Sequence, residues 1–280
     1  AGHYTECRGT QSQLADEGAR ASKLKKQGIA ITREISRSIE NCELTHLERA
    51  TINLKRARHQ HSAYIAALKE AGWEVTTLPE EPHLPDSVFV EDTAVILAGL
   101  AVITRPGSES RRPETKSIVK ALSSMLPVAF ISDSAILDGG DVLVVGKKIF
   151  VGQSSRSDYL GCSGLEDLAK PLGYGVETIP VKSCLHLKSA VTAIDDRTLL
   201  LNPKWVNPEL FKEYNLVEVH ADEPAAANCV NLGKVIMCDN TFPKTRQRIQ
   251  DAGFLVNSIS LDELAKAEGA ATCCSLLIPH

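Results

Sequence analysis

The sequence predicts an α/β fold assembled from similar small units. Short apolar, strand-like runs alternate with helix-period segments along most of the chain, and the order strand, strand, helix, strand recurs. The nucleotide-binding alternative lacks its fingerprint, because Gly173-Tyr-Gly175 has no third glycine and no G-x-x-x-x-G-K-[ST] occurs. These observations leave an open sheet and a closed ring as equal possibilities.

In order, residues 1–28 are polar, end in the basic run Lys23-Leu-Lys-Lys26, and read as an appendage to a single domain over 29–280. The first strand-like run is Ile29–Ile35. From Asn53 to Gly72 the apolar positions Leu54, Ala57, Tyr64, Ile65 and Leu68 recur at helical spacing, with Gly72 placed to cap the helix end. Strands are expected at Trp73–Leu78, Ser87–Leu97, Ala101–Thr104, Asp141–Val145 and Lys148–Val151. A helix over Gly164–Leu172 follows, then strands near 176–179, 190–194, 198–201, 228–232 and 235–237. Later units include a helix near 244–252, a strand at 254–259 and a helix at 261–267.

Composition narrows the function. A hydrophobic content of 43 % with 24 % charged residues is that of a soluble globular protein, and a formal charge of −4 offers nothing to nucleic acid or an anionic membrane. No run approaches the roughly 18 apolar residues of a membrane helix. Eight scattered cysteines with no C-x-x-C pair disfavour a zinc ribbon or a disulfide framework and fit reduced thiols in the cytoplasm. The expected partner is a small molecule, with oligomeric state open and a homodimer allowed.

Five groups of residues could carry chemistry, and each has a plainer reading. Cys273 and Cys274, in Glu268-Gly-Ala-Ala-Thr-Cys-Cys-Ser-Leu-Leu-Ile278, are a nucleophile or core filling. Glu91 and Asp92 interrupt an apolar run, so one of them faces inward unless the strand ends there. Asp138 and Asp141 flank Gly139-Gly140, a hairpin bend or a place of close approach. His186 sits between two leucines, as a core histidine or as the base that thiolate chemistry needs. Arg105 and Arg156 each close a strand, as surface charge or as carboxylate clamps.

Together these pieces resemble the dimethylarginine dimethylaminohydrolases, a family of the guanidino-group-modifying, or amidinotransferase, superfamily. The resemblance runs from about Ile29 to the end. It rests on six motifs in the family's order: Leu84-Pro-Asp-Ser-Val-Phe-Val-Glu-Asp, Ile103-Thr-Arg-Pro-Gly, Leu137-Asp-Gly-Gly-Asp-Val-Leu, Phe150-Val-Gly-x-Ser-x-Arg, Leu185-His-Leu-Lys-Ser and Gly269-x-x-Thr-Cys-x-Ser-x-Leu-Ile.

The resemblance implies an α/β propeller of ββαβ-type units around a central site, the pentein fold. It implies hydrolysis of Nω-methylated arginine to citrulline and an alkylamine, with no metal or organic cofactor. Cys273 corresponds to the nucleophile, His186 to the general acid and base, and Asp138 to the carboxylate that orients the imidazole. Asp92, with Glu91 beside it, corresponds to the guanidinium ligand, Asp86 to the α-ammonium ligand, and Arg105 and Arg156 to the α-carboxylate ligands. Ile35 falls at the lid position, and Ala267 and Glu268 at substrate-binding positions, where mammalian relatives carry Asp in place of Glu268. Deiminases and amidinotransferases carry an Asp two residues after the histidine, whereas this chain has Lys188, which argues for alkylated arginine as substrate. The alternatives are a deiminase-like hydrolase of another guanidino compound and a non-catalytic thiol- or metal-binding protein on the same fold.

Overall fold

A computed structural model describes residues 27–280. The expected N-terminal appendage lies outside the described residues except for its last two positions, and the first strand, β1 (Gly28–Arg33), begins one residue before the expected domain boundary. Among the described residues the strands form five three-stranded sheets. Each joins one antiparallel pair to one parallel pair.

The sheet β3-β4-β5 illustrates the unit. Strands β3 (Ala94–Leu97) and β4 (Leu100–Ile103) form a hairpin, and the chain crosses over before β5 (Val128–Phe130) pairs parallel to β4. The hairpin turn is tight because Gly99 adopts φ 77°, which a side chain would oppose. The next unit repeats the plan with β6 (Val142–Val145), β7 (Lys148–Gln153) and β8 (Gly175–Pro180). Then come β9 (Val191–Ala193), β10 (Thr198–Leu201) and β11 (Asn215–Glu218), where a short 3-10 turn at Pro208–Phe211 replaces the crossover helix. The fourth unit is β12 (Val230–Asn231), β13 (Ile236–Asp239) and β14 (Val256–Ile259). The fifth joins the two chain ends: β15 (Leu276–Pro279) pairs antiparallel with β1, which pairs parallel with β2 (Trp73–Leu78). That pairing closes the ring.

Helix α1 (Leu54–Glu70) forms the crossover of the fifth unit. The Asn53 side chain accepts the Arg56 N–H at 3.0 Å, satisfying a donor the helix start leaves free. Ala57, Tyr64, Ala67 and Leu68 share its buried face, and each large side chain there contributes about 1.5–3 kcal/mol. Gly72 ends the helix at φ 96°, as expected from its position.

In each sheet the first strand of the unit is an edge: β3, β6, β9, β12 and β15. These five edges surround an axial cavity of about 690 Å³. Side chains of adjacent units pack against one another, in apolar clusters such as Val95, Leu97, Val142 and Val151 between the first and second sheets. The open backbone edges of the five strands face the axis.

Two expected strands begin differently. Within Ser87–Leu97 the chain makes a 3-10 turn at Val90–Thr93 before β3, so Glu91 and Asp92 sit on a turn and both are buried. Within 190–194, a helical turn, α2 (Leu187–Ala190), precedes β9. Strands β5 and β11, which are short and lie on the outer edges, were not expected at all, because neither shows apolar alternation.

Candidate active site

Three 3-10 turns meet at one end of the axis: Val90–Thr93, Gly139–Asp141 and Thr272–Cys274. Each immediately precedes an inner strand. Their meeting depends on Gly139 and Gly140, because a Cβ on the first would lie 2.0 Å from the Glu91 carbonyl oxygen and one on the second 2.5 Å from His186 Nδ1. The hairpin-bend reading therefore gives way to close approach.

A cavity of about 20 Å³ lies among Cys273, His186, Asp92, Asp86, Phe89, Arg111, Arg156, Glu43, Leu185, Ala267 and Glu268. That is space for about one water. His186 Nε2 is 3.0 Å from Asp138 Oδ2 and 3.9 Å from Asp92 Oδ1. Asp138 Oδ1 also accepts the Gly107 N–H at 2.9 Å, so both its oxygens are committed. Behind this pair, Asp141 accepts the Leu187 N–H at 2.8 Å and the Ser157 hydroxyl at 2.7 Å, and Ser157 in turn accepts the Asp138 N–H at 3.0 Å. One buried carboxylate thus braces both members of the dyad.

Cys273 Sγ accepts the Ala270 N–H at 3.4 Å. Cys274 lies beside it at 0 % exposure, in the core cluster that holds Tyr64 and Leu264. Both cysteines stand on a 3-10 turn and not on a strand, so they diverge by turn geometry and not by strand alternation.

Asp92 accepts Arg111 Nη1 at 2.6 Å and the Gly140 N–H at 2.9 Å. Arg111 bonds in turn to Glu114 at 2.9 Å and to the Phe89 carbonyl at 3.1 Å, which fixes the acid-bearing turn. Arg111 is the cavity cation that sequence reasoning missed. It lies six residues beyond Arg105 in a polar stretch, where no apolar pattern distinguishes it from surface charge.

Arg105 is not brought to the cavity. It lines a separate cleft with Pro106, Arg112 and Phe130, and its Nη1 donates to the Ala135 carbonyl at 3.1 Å. Its backbone pairs with Leu137, which turns the side chain away from the site. Ile35 is also elsewhere, 1 % exposed in the core beside Ile39 and Ala57. The segment after it covers the cavity instead. Glu268, in a left-handed conformation at φ 57°, accepts the backbone N–H groups of Thr45, His46 and Leu47 at 3.0, 2.5 and 2.7 Å. Arg156 Nη2 donates to Thr45 Oγ1 at 2.8 Å, and Asp86 accepts the Glu43 N–H at 3.0 Å. Glu91 is displaced too: it bonds Lys188 Nζ and, at 2.6 Å, Thr272 Oγ1, and lines the axial cavity behind the site.

The electrostatics suit a cation. Burial pushes the His186 imidazolium down, but Asp92, Asp138 and Asp141 outweigh it and raise the pKa to about 9. Burial also pushes Asp92 up, yet His186 and Arg111 overcome it and hold the carboxyl at about 2. Burial, then Glu91 and Asp92, hold the Cys273 thiol well above its ordinary value. Asp92, Asp138 and His186 present ligand atoms within 4.8 Å of one another, the spacing a metal ion would need, although the carboxylates are already bonded to Arg111, Gly107 and Gly140.

Fold and site define an enzyme class in which a thiol, an imidazole paired to a carboxylate, and a cation-binding acid meet at the end of an α/β propeller. The comparisons then give the family. The model of eukaryotic N,N dimethylarginine dimethylhydrolases matches residues 31–201. The N(G),N(G)-dimethylarginine dimethylaminohydrolase of Streptomyces coelicolor is 37 % identical over 88 % of this chain and 95 % of its own length. A cysteine-to-serine mutant of the Pseudomonas aeruginosa enzyme, solved with citrulline, superposes with a TM-score of 0.87 at 30 % identity, covering 91 % of this chain and all of that one. The N-terminal domain of the arginine dihydrolase ArgZ, at 17 % identity and TM-score 0.81, shares the fold. The chain belongs to the dimethylarginine dimethylaminohydrolase family, and its fold is the pentein propeller.

The placement of the two arginines yields a prediction. Arg111→Lys keeps the charge but loses the fork that spans Asp92 and Glu114, and kcat/KM is expected to fall by about 10²-fold or more. Arg105→Lys is expected to change it less than about threefold, as for an ordinary surface substitution. Equal losses in steady-state assays would overturn the placement.

A second prediction concerns pH. Attack by a thiolate beside an imidazolium would need one proton shared between Cys273 and His186, whereas with both pKa values high the free protein at neutral pH holds two. The value of kcat/KM is therefore expected to climb with pH towards about 9, where His186 titrates. A plateau already reached at pH 6.5 would contradict this protonation state.

Proposed function

We propose that this chain hydrolyses Nω-methylated arginine to citrulline and an alkylamine through a covalent intermediate on Cys273. The observation that carries the assignment of roles is the small buried cavity in which Cys273, His186 and Asp92 meet, with Asp138 bonded to the imidazole. Family membership supports the reaction.

The steps follow from the geometry. Asp92 has lone pairs left beyond its bonds to Arg111 and Gly140, and accepts the substrate guanidinium. That cation, entering beside a thiol raised by burial and carboxylates, favours the thiolate. With the thiol proton released to solvent as the substrate binds, Cys273 Sγ attacks the guanidinium carbon, His186 gives its proton to the departing amine as the C–N bond breaks, and a thiouronium remains. His186 then takes a proton from water as the oxygen attacks, and the C–S bond breaks to return the thiol and citrulline. Asp138 keeps the imidazole oriented through both halves. At the other end of the substrate, Asp86 would take the α-ammonium and Arg156 the α-carboxylate.

The cavity cannot hold an arginine as it stands, so the segment around 43–47 must lift for entry and close again. Glu268, with three bonds to that segment, holds it shut.

No helix among the described residues is long and apolar enough to cross a membrane. The seven described cysteines are free thiols, which supports the cytoplasm as the site of action. A homodimer remains part of the proposal, to be read by light scattering. The reaction itself is tested by citrulline release from asymmetric dimethylarginine and from arginine in parallel. Preference for the methylated substrate is expected, and preference for arginine would replace this reading with a deiminase.

A further inference from the structure

We propose that the axial cavity is the passage by which the leaving amine departs and the hydrolytic water arrives during turnover. The inference rests on the thiouronium mechanism above and extends it.

That mechanism has a traffic requirement. When the C–N bond breaks, the alkylamine must leave and a water must enter while the rest of the substrate is still bonded to Cys273. The entrance is then blocked by the amino-acid portion itself and by the segment that Glu268 and Arg156 hold down. A cavity of about 20 Å³ has no room for an amine to pass a bound substrate.

The other side of the site is thin. Asp92 and Cys273 line the reaction cavity, while their chain neighbours Glu91 and Thr272 line the axial one. The partition between them is a hydrogen-bonded group of polar side chains. Lys188 Nζ and Thr272 Oγ1 donate to Glu91, and Asn228 Nδ2 donates to Thr272 Oγ1 at 2.9 Å and to the Lys188 carbonyl at 3.1 Å. Rotation of the Lys188 or Thr272 side chain away from Glu91 opens this wall without moving the backbone.

Beyond the wall the passage suits water and a small cation. Its sides are the unpaired edges of β3, β6, β9, β12 and β15, whose backbone N–H and C=O groups require water where no strand pairs them. At about 690 Å³ it accommodates a dialkylamine with its hydration water. Glu91 stands at the inner end, and Asp195 and Asp196 also line the cavity. With Glu91 already paired to Lys188, it is the two aspartates that favour an amine protonated once His186 has given up its proton.

The test narrows the passage at positions that do not line the reaction cavity. Ala193, on β9, and Ile96, on β3, are partly exposed residues lining the axial cavity on different sheets. The series Ala193→Val, Ala193→Leu and Ala193→Phe, together with Ile96→Phe, is assayed with asymmetric dimethylarginine, each variant being checked for a native melting transition. Thiouronium formation in the first turnover, followed by rapid-quench mass spectrometry, is expected to keep the wild-type rate. Its hydrolysis is expected to slow with side-chain size, by at least fivefold for the largest variant that folds, so that kcat falls and the adduct accumulates. Folded variants whose hydrolysis stays within twofold of wild type would overturn the passage. Absence of citrulline from the wild-type enzyme would instead overturn the hydrolase reading.

Discussion

Cys273→Ser is expected to lose citrulline formation by on the order of 10⁴-fold or more, the scale on which removal of a nucleophile registers. A serine hydroxyl in the same place cannot replace the thiolate, because its proton is far harder to remove and no base stands beside it in neutral form. His186 is held protonated at about 9 by its carboxylate neighbours, so at neutral pH it serves as an acid. The substrate cation can bring a thiol within reach of ionisation, but not an alcohol. Cys274→Ser leaves the reacting sulfur in place and is expected to keep activity within about threefold, with a stability loss of about 1–3 kcal/mol for placing a hydroxyl in a fully buried apolar cluster. Parallel activity assays and thermal melts separate the two effects. Comparable loss of turnover in both folded variants would contradict the assignment.

His186→Gln is expected to cost about 10³-fold or more in kcat, since in the proposed mechanism the same imidazole serves the departing amine and the attacking water. Asp138 and Asp92 would then face an amide that holds no proton for the leaving group. The substitution should also change stability in a pH-dependent way. The folded pKa of His186, about 9, lies above its ordinary value of 6.5, so its pairing stabilises the fold fully below about pH 6.5, and that contribution is lost as pH rises through about 9. Wild type is therefore expected to lose melting temperature between pH 6.5 and 9.5 more steeply than His186→Gln. Identical slopes would mean that the imidazole is not held as a cation by Asp92, Asp138 and Asp141.

Much of this site is legible in the sequence. The ordered motifs mark Cys273, His186, Asp138, Asp92, Asp86 and Arg156, and the structure gathers them at one end of the axis. Local pattern marks Glu91-Asp92, Asp138, His186 and the cysteine pair as polar residues inside or beside apolar runs, whereas Asp86 and the choice of Cys273 over Cys274 come from the resemblance of the ordered motifs to the family. The recurrence of strand, strand, helix, strand was readable for the same reason, because alternation and helical spacing are properties of short segments.

What escaped the reading depends on contacts distant in sequence. Arg111 stands among Ser108, Glu109, Ser110 and Arg112, and only its ion pairs with Asp92 and Glu114 distinguish it from a solvated charge. Arg105 was favoured because it closes a strand, yet its backbone bridge to Leu137 directs the side chain to the outer cleft. Ile35 follows the first strand, but burial against α1 takes it into the core and leaves cover of the cavity to the segment that Glu268 binds. Glu91 was expected to face the guanidinium beside Asp92. The 3-10 turn sends the two carboxylates to different cavities, one to the reaction and one to the axis. Closure of the ring was likewise invisible locally, since it needs β15 to pair with β1 across the whole chain.

The central claim is that one sulfur forms a bond to the guanidinium carbon. Acid quenching during turnover of asymmetric dimethylarginine, followed by proteolysis and mass spectrometry, tests it directly. The expected result is a thiouronium adduct, the substrate less dimethylamine, on the peptide holding Cys273 and Cys274, with fragmentation placing it on Cys273 and with no adduct in Cys273→Ser. An adduct on Cys274, or steady turnover in Cys273→Ser, would contradict the account.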